Sequence, residues 1–487
     1  MNSDIEKFIK GESKTSFNYF GAHKVNNGVC FRVYAPHSKN VDVYVNEKNY
    51  RMDKIDFRGV FEKRIENVKE FDSYHYELLT NENVWINKSD PYTFYNEDNK
   101  SVYIDNDEYV FNDEKWINKS KEIEYFNACL LKDNFNMDEQ REFINYLKEY
   151  NYNYLIIRPY DEKYLYSINK QFINEASLKT FIDNLHQMNI GVIFDFDTNA
   201  FYDYDEGLND FDGLSVYNKV DNKYKEINYV YFDYEKSHTK SYVASLINYY
   251  VSLFHGDGLY LDENEFNEQL AKEYDEKIVI FKGNENNSGY ASCKYLDDIV
   301  ENVNNGFDHK KFVCKEFLDN TYIVYDYSRY FNKIKGNEQT KQEISRMLLA
   351  LAYSSNAYCI SVYNRDENYL KSLKPLANLY ANSKALYGKT KFNYLLNGKK
   401  NKYFAYEYVS KNDHVLTIMN FSSLEDEKFD LGMTHYGYYK KILDTKDNTT
   451  EEELFFTRDK KVHNKTMALK MHLKPNQVLV YKRMRDI

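Results

Sequence analysis

The chain has 487 residues, a net charge of −11 and a pI near 5.6. That length exceeds one ordinary core, so two to four domains are expected. The acidic balance argues against a nucleic-acid partner, and no apolar run approaches the ~18 residues of a membrane span.

The first residues, Met1 to Lys14, are polar and mixed in charge, with no apolar signal region. The five cysteines are scattered, without a CxxC pair or a Cys/His cluster of zinc spacing. Free thiols in a reducing cytoplasm are the expectation. Tyrosine is abundant, 50 residues against 2 Trp. Tyrosine can stack on sugars, but a chain this rich in Asn, Lys, Tyr and Ile reflects compositional bias before a binding surface.

Residues 17 to about 110 read as strands. Val29–Tyr34 and Val41–Val45 alternate, and Asn26-Asn-Gly28 marks a turn. From about 120 the rhythm becomes strand then helix. Asn127–Leu131 precedes a helical period over Asp138–Tyr150, and Tyr154–Arg158 precedes Ser177–Met188. Gly191–Phe196, the helix His238–His255, Gly258–Asp262, Lys277–Phe281, Tyr322–Tyr325 and Tyr358–Val362 follow. Helices are predicted over Asn337–Ala352 and Glu367–Tyr387. About eight such units fit a closed parallel (β/α)8 barrel. After about 392 alternation returns, in Val415–Phe421 and Gln477–Tyr481.

Several of these segments resemble the α-amylase superfamily (glycoside hydrolase family 13), and glycogen branching enzymes in particular. The wording Phe20-Gly-Ala-His23, Phe31-Arg-Val-Tyr-Ala-Pro36, Gly59-Val-Phe61, Tyr74-His-Tyr76 and Asp90-Pro-Tyr92 resembles their N-terminal carbohydrate-binding module of family 48. The strand-to-acid runs Gly191-Val-Ile-Phe-Asp195 and Asp257-Gly-Leu-Tyr-Leu-Asp262 resemble two barrel signatures. The implied architecture is a glycogen-binding-type β-sandwich over 1–115, a TIM barrel over 116–391 and a C-terminal β-sandwich over 392–487. Trp85 is a sugar-stacking candidate in the first, although a lone tryptophan in a sandwich is more often core.

Retaining glycosidic chemistry needs two carboxyl groups ~5–5.5 Å apart, a nucleophile and an acid/base. By the resemblance, Asp262 holds the nucleophile position and Asp195 the strand-three aspartate position. The other expected groups are replaced. Tyr260 stands for the arginine, Lys282 for the strand-five acid, Ala200 for a histidine, and Tyr327-Ser328 for a His-Asp pair. The aromatic platform after strand two is unrecognisable in Tyr160–Tyr164. Loss of the acid alone forfeits ~10²–10⁴-fold. Lys282 is expected to serve Asp262 as a counter-ion.

A relocated acid is the competing reading, with Glu285 the candidate and Glu263 and Glu265 further options; a solvated loop acid is the commoner case. Asp195-Phe-Asp197 can be read as a metal-binding pair, and Asp203–Asp212 faintly as a calcium loop, but the spacing departs from the EF-hand pattern. No metal or cofactor is expected. The resemblance implies a cytoplasmic α-glucan protein of glycogen metabolism that lost catalysis and kept a glucan-binding or regulatory role. Its rivals are an active 1,4-α-glucan branching enzyme and a scaffold subunit for a protein partner.

Overall fold

The computed structural model describes residues 3–98, 100–105, 109–118, 125–132, 135–220, 228–283, 289–317, 321–398, 403–411, 413–447 and 453–484. The N-terminal strands form two sheets. One orders Gly21–Val25, Gly28–Tyr34, Val60–Glu66 and Asp53–Asp56; the other centres on Asn40–Val45 paired with Ser73–Leu79. The alternation of Val41, Val43 and Val45 with polar neighbours puts every second side chain inside, where all three are buried. Asp90 is also buried, accepting from Tyr74 and Tyr76 hydroxyls at 2.9 and 3.1 Å and from the Tyr92 N–H at 2.8 Å. Burial raises its pKa to about 6 against the pull of those donors. Trp85, in contrast, is 43% exposed, with the Arg51 guanidinium 5.5 Å from its ring. It is a surface residue, not core, because its short strand Trp85–Lys88 pairs only one neighbour.

Eight strands close a barrel in sequence order: β1 (Asn127–Leu131), β2 (Tyr154–Ile157), β3 (Gly191–Phe196), β4 (Gly258–Asp262), β5 (Ile278–Lys282), β6 (Tyr290–Ser292), β7 (Tyr322–Tyr325) and β8 (Tyr358–Val362). The helices between them include α1 (Gln140–Glu149), α2 (Glu175–Gln187), α3 (Ser237–Leu253), α4 (Glu265–Ala271), α5 (Lys294–Asn304), α6 (Tyr327–Lys333) and α7 (Glu338–Tyr353), and α8 (Glu367–Ala381) follows β8. Most strand positions are apolar because both faces are covered, as in β1, whose five residues, Asn127 among them, are all buried. Asn174, Asn264, Asp326, Asn337 and Asp366 cap their helices with a side-chain oxygen on an early N–H. β6 has only three residues and no sequence signal. The helix expected over Glu367–Tyr387 ends at Ala381, with Asn382 as its C-cap.

Beyond the barrel lie β9 (Lys391–Asn397), β10 (Tyr403–Ser410), β11 (Asp413–Asn420), β12 (Asp426–Met433), β13 (Tyr438–Asp444), β14 (Leu454–Phe456), β15 (Arg458–Val462), β16 (Lys465–Leu473) and β17 (Gln477–Arg483). They make a six-stranded sheet, β9-β10-β11-β17-β13-β14, and a three-stranded sheet, β12-β16-β15. Leu416, Ile418, Leu431, Leu469 and Leu479 form part of a common core. Tyrosine is core material here: Tyr76, Tyr166, Tyr250 and Tyr353 are among the largest fully buried side chains.

Two compact units emerge, one of residues 1–118, 133–140 and 157–279, the other of 119–132, 141–156 and 280–487. The first holds the N-terminal sheets with β3 and β4; the second holds β1, β6 to β8 and the C-terminal sheets.

Candidate active site

β3 and β4 run parallel, with Asp195 beside Tyr260 and Phe196 beside Leu261. Asp195 and Asp262 therefore lie at the same end of the barrel, the one the strands' C-termini reach. Gly258 allows the close approach of β4 to its neighbour: a Cβ there would stand 2.5 Å from the Ile278 carbonyl oxygen.

Asp262 ends β4 and turns back over the loop that follows β3. Its Oδ2 accepts from the backbone N–H groups of Thr198 and Asn199 at 2.7 and 3.0 Å. Its carbonyl accepts from Asn267 Nδ2 at 2.7 Å, and the same amide reaches Thr198 Oγ1 at 2.6 Å. Asn264 bonds Asn199 Oδ1 at 2.9 Å while capping α4. The Tyr234 hydroxyl donates to the Thr198 carbonyl, and its ring stacks on Phe266 at 4.6 Å. Burial, and after it the charge of Asp262, lift the Tyr234 phenol well above its ordinary pKa. The nucleophile-position carboxylate thus organises the β3–β4 loops as an acceptor of backbone donors.

Asp195 and Asp197 share one cation, Arg158, the residue after β2. Arg158 Nη2 lies 2.6 Å from Asp197 Oδ2 and 3.5 Å from Asp195 Oδ2, and Nη1 lies 3.0 Å from Glu162. Burial opposes the guanidinium charge, but Tyr160 and the three carboxylates outweigh it and raise its pKa. The two aspartates meet a protein cation, which removes the reason to read them as a metal pair. Tyr160 packs inward on Phe196 at 5.7 Å and accepts the Asp197 N–H through its hydroxyl. It is no open stacking platform.

The replaced positions have structural surroundings of their own. Tyr260 is buried inside β4. Ala200 begins a short antiparallel pair, Ala200–Tyr202 with Tyr229–Tyr231, opposite Tyr231. Lys282 ends β5, half-buried, in the other compact unit from Asp262. Tyr327 is buried against Tyr369 at 5.4 Å, and Ser328 Oγ accepts from Asn364 at 3.0 Å. Glu263 and Glu265 are exposed beyond β4. Glu285 lies outside the described residues. The acidic loop 203–212 carries its own partners: Asn209 on Asp203, Asn218 on Asp210, and His37 on Asp212.

Sequence reasoning missed two charged groups. Arg158 stood in plain view at the end of β2, one strand-end before Asp195 and Asp197, but the expected arginine was sought on β4. Asp326, directly after β7, caps α6 by accepting the Arg329 N–H at 3.0 Å and pairs with Lys132 at 2.9 Å. Its signal was the capping pattern Asp326-Tyr-Ser-Arg329.

The comparisons fit this picture. Residues 1–92 match the model of the "alpha-1,4-glucan branching enzyme GlgB, N-terminal domain", and 396–484 that of the "Alpha amylase, C-terminal all-beta domain". The 1,4-alpha-glucan branching enzyme GlgB of Halothermothrix orenii is 30% identical over 305 residues, covering 53% of this chain and 48% of that enzyme. The namesake of Francisella tularensis subsp. novicida is 29% identical over 353 residues, 62% of this chain and 54% of that one. The chain thus spans about half the length of the curated relatives it matches. Among solved structures, apo pullulanase from Paenibacillus barengoltzii superposes with a TM-score of 0.70 at 14% identity, covering 98% of this chain and 96% of that one. Pullulanase type I from Bacillus subtilis with maltose gives 0.68 at 12%, covering 96% and 85%. These structures share the fold: an eight-stranded parallel barrel with all-β domains before and after it. The chain is an α-amylase-fold protein that resembles, in sequence, the glycogen branching enzymes.

Proposed function

We propose that this is a branching-enzyme-like, α-glucan-binding protein of glycogen metabolism that no longer catalyses glycosyl transfer. The observation that carries the reading is the use of Asp262. Its Oδ2 is taken by two backbone N–H groups, while the acid's position at the end of β5 carries Lys282. A retaining mechanism needs a nucleophile and a carboxylic proton donor, and the sequence position at which the resemblance expects that donor holds a lysine.

Support for sugar binding comes from the N-terminal match and from Trp85, whose ring is exposed on that module. Many chain ends on one glycogen particle multiply weak sites. No helix of the described residues is long and apolar enough to cross a membrane. The five cysteines are free, four of them buried, in keeping with a reducing, cytoplasmic setting. Co-sedimentation with glycogen tests the binding. The protein is expected in the glycogen pellet and free of it when soluble maltodextrin competes. Failure to sediment with any branched or linear α-glucan would favour a scaffold subunit.

A further inference from the structure

We propose that the C-terminal sandwich contains a site for a divalent transition-metal ion, zinc by its donor set, formed by Glu407, His414 and His435. Each offers one ligand atom, and these atoms lie within 4.8 Å of one another. The hairpin β10–β11 places two of them. Val409 pairs with His414, so Glu407, two residues back on the same face, is its diagonal neighbour. His435 arrives from the β12–β13 connection. Glu407 and His414 are buried at 0% and 3% exposure; His435 is half-buried and leaves a path for an ion.

The hydrogen bonds around the cluster hold each group by the atom a metal does not need. Glu407 Oε1 accepts from Asn393 at 3.0 Å and from the Thr434 hydroxyl. Thr434 has a single proton and gives it to that carboxylate. Its oxygen, 2.8 Å from His435 Nδ1, therefore accepts the Nδ1 proton and leaves the lone pair on Nε2. The Tyr439 hydroxyl donates to the His435 carbonyl at 3.3 Å and lies 3.4 Å from His414 Nδ1, which places a donor proton on that nitrogen too. Imidazoles fixed through Nδ1, with a carboxylate anchored by its other oxygen, form the outer shell that orients metal ligands.

His414 Nε2 and Glu407 Oε2 now meet at 2.6 Å across a shared proton. A zinc ion would replace that proton. Bonds of 2.0–2.2 Å set tetrahedral ligand atoms about 3.3 Å apart, so this contact opens by about 0.7 Å while His435 closes in. Two histidines and a glutamate leave the fourth position for water. The ligands were invisible in sequence because they lie 7 and 21 residues apart and meet only through the hairpin register and the β12–β13 connection.

Calorimetric titration of the full, chelator-treated chain with zinc tests the site, with cobalt(II) absorption as a second readout of the ligand field. One equivalent should bind, and cobalt should give the visible spectrum of a tetrahedral N/O site. His435→Ala, at a half-buried position that leaves the fold intact, and Glu407→Gln should each weaken binding at least tenfold. His472→Ala, an exposed histidine paired with Glu425, should bind as the unaltered chain does. Absence of one-equivalent binding, or unchanged binding by His435→Ala, would overturn the proposal and leave a buried His–Glu ion pair.

Discussion

At the scale of single residues, the chemistry of the barrel mouth turns on what each carboxylate touches. Asp262 accepts two backbone N–H groups, and Thr198, one of the donors, is buried. Removing the acceptor strands that donor, which costs about 2 kcal/mol. Asp262→Ala should therefore lower the urea midpoint with an unchanged slope; a midpoint equal to that of the unaltered protein would mean the loop does not depend on the carboxylate. Arg158 faces three acids at 3.5 Å or less, Asp195 on β3, Asp197 just beyond it and Glu162. Its side chain is about a quarter exposed, 26%. Arg158→Met should cost about 2 kcal/mol, toward the low side of what stranding a buried charge costs, because solvent reaches part of the cluster. Arg158→Lys should recover some of that loss but not all, since a single ammonium nitrogen cannot reproduce the planar pair of nitrogens that reach the aspartates and Glu162 together.

At the scale of elements, the opposite end of the barrel shows what Asp257 does. It opens β4, and its Oδ2 accepts from the Val192 N–H at 2.7 Å and from His186 Nε2 at 3.0 Å, its Oδ1 from Trp116 at 2.8 Å. His186, on α2, also lies 2.8 Å from Asp113 through Nδ1. Both ring nitrogens face carboxylates, so the ring is an imidazolium. Burial works to lower its pKa, and Asp257 and Asp113 more than reverse that. Since the folded value lies above the unfolded one, about 6.5, the stabilisation is full below that pH and is lost as pH rises through the raised value. Melting temperature should fall from pH 6 to pH 9 in the unaltered chain, and fall less in His186→Gln. Equal falls in both would show that His186 is not the group responsible.

The legibility of the elements followed from burial. β1, β3, β4, β7 and β8 were found because strands covered on both faces are mainly apolar runs, interrupted by few polar residues such as Asn127, Asp195 and Ser361. β6 has three residues, too few for any period to register. The positions of Asp195 and Asp262 at one mouth could be read from the strand ends. The ion pairs of Arg158 with Asp195 and Asp197, and of Asp326 with Lys132, could not, because they depend on which strand ends adjoin in space.

At the scale of the whole molecule, a barrel of α-amylase type sits in sequence between two all-β regions. Trp85, 43% exposed beside Arg51, is the N-terminal aromatic proposed to stack on sugar. Trp85→Ala should reduce glycogen sedimentation several-fold, since stacking on sugar needs the ring. Stability should change by less than about 0.5 kcal/mol, as for surface substitutions away from packing. Undiminished sedimentation would move the sugar site elsewhere.

The proposed loss of catalysis is most directly tested by incubating the purified protein with amylose and following the iodine colour, beside Asp262→Asn and Glu285→Gln. All three proteins should leave the colour unchanged over hours. A colour loss by the unaltered chain that Asp262→Asn abolishes would make Asp262 a working nucleophile and contradict the reading, and abolition by Glu285→Gln as well would identify the relocated acid.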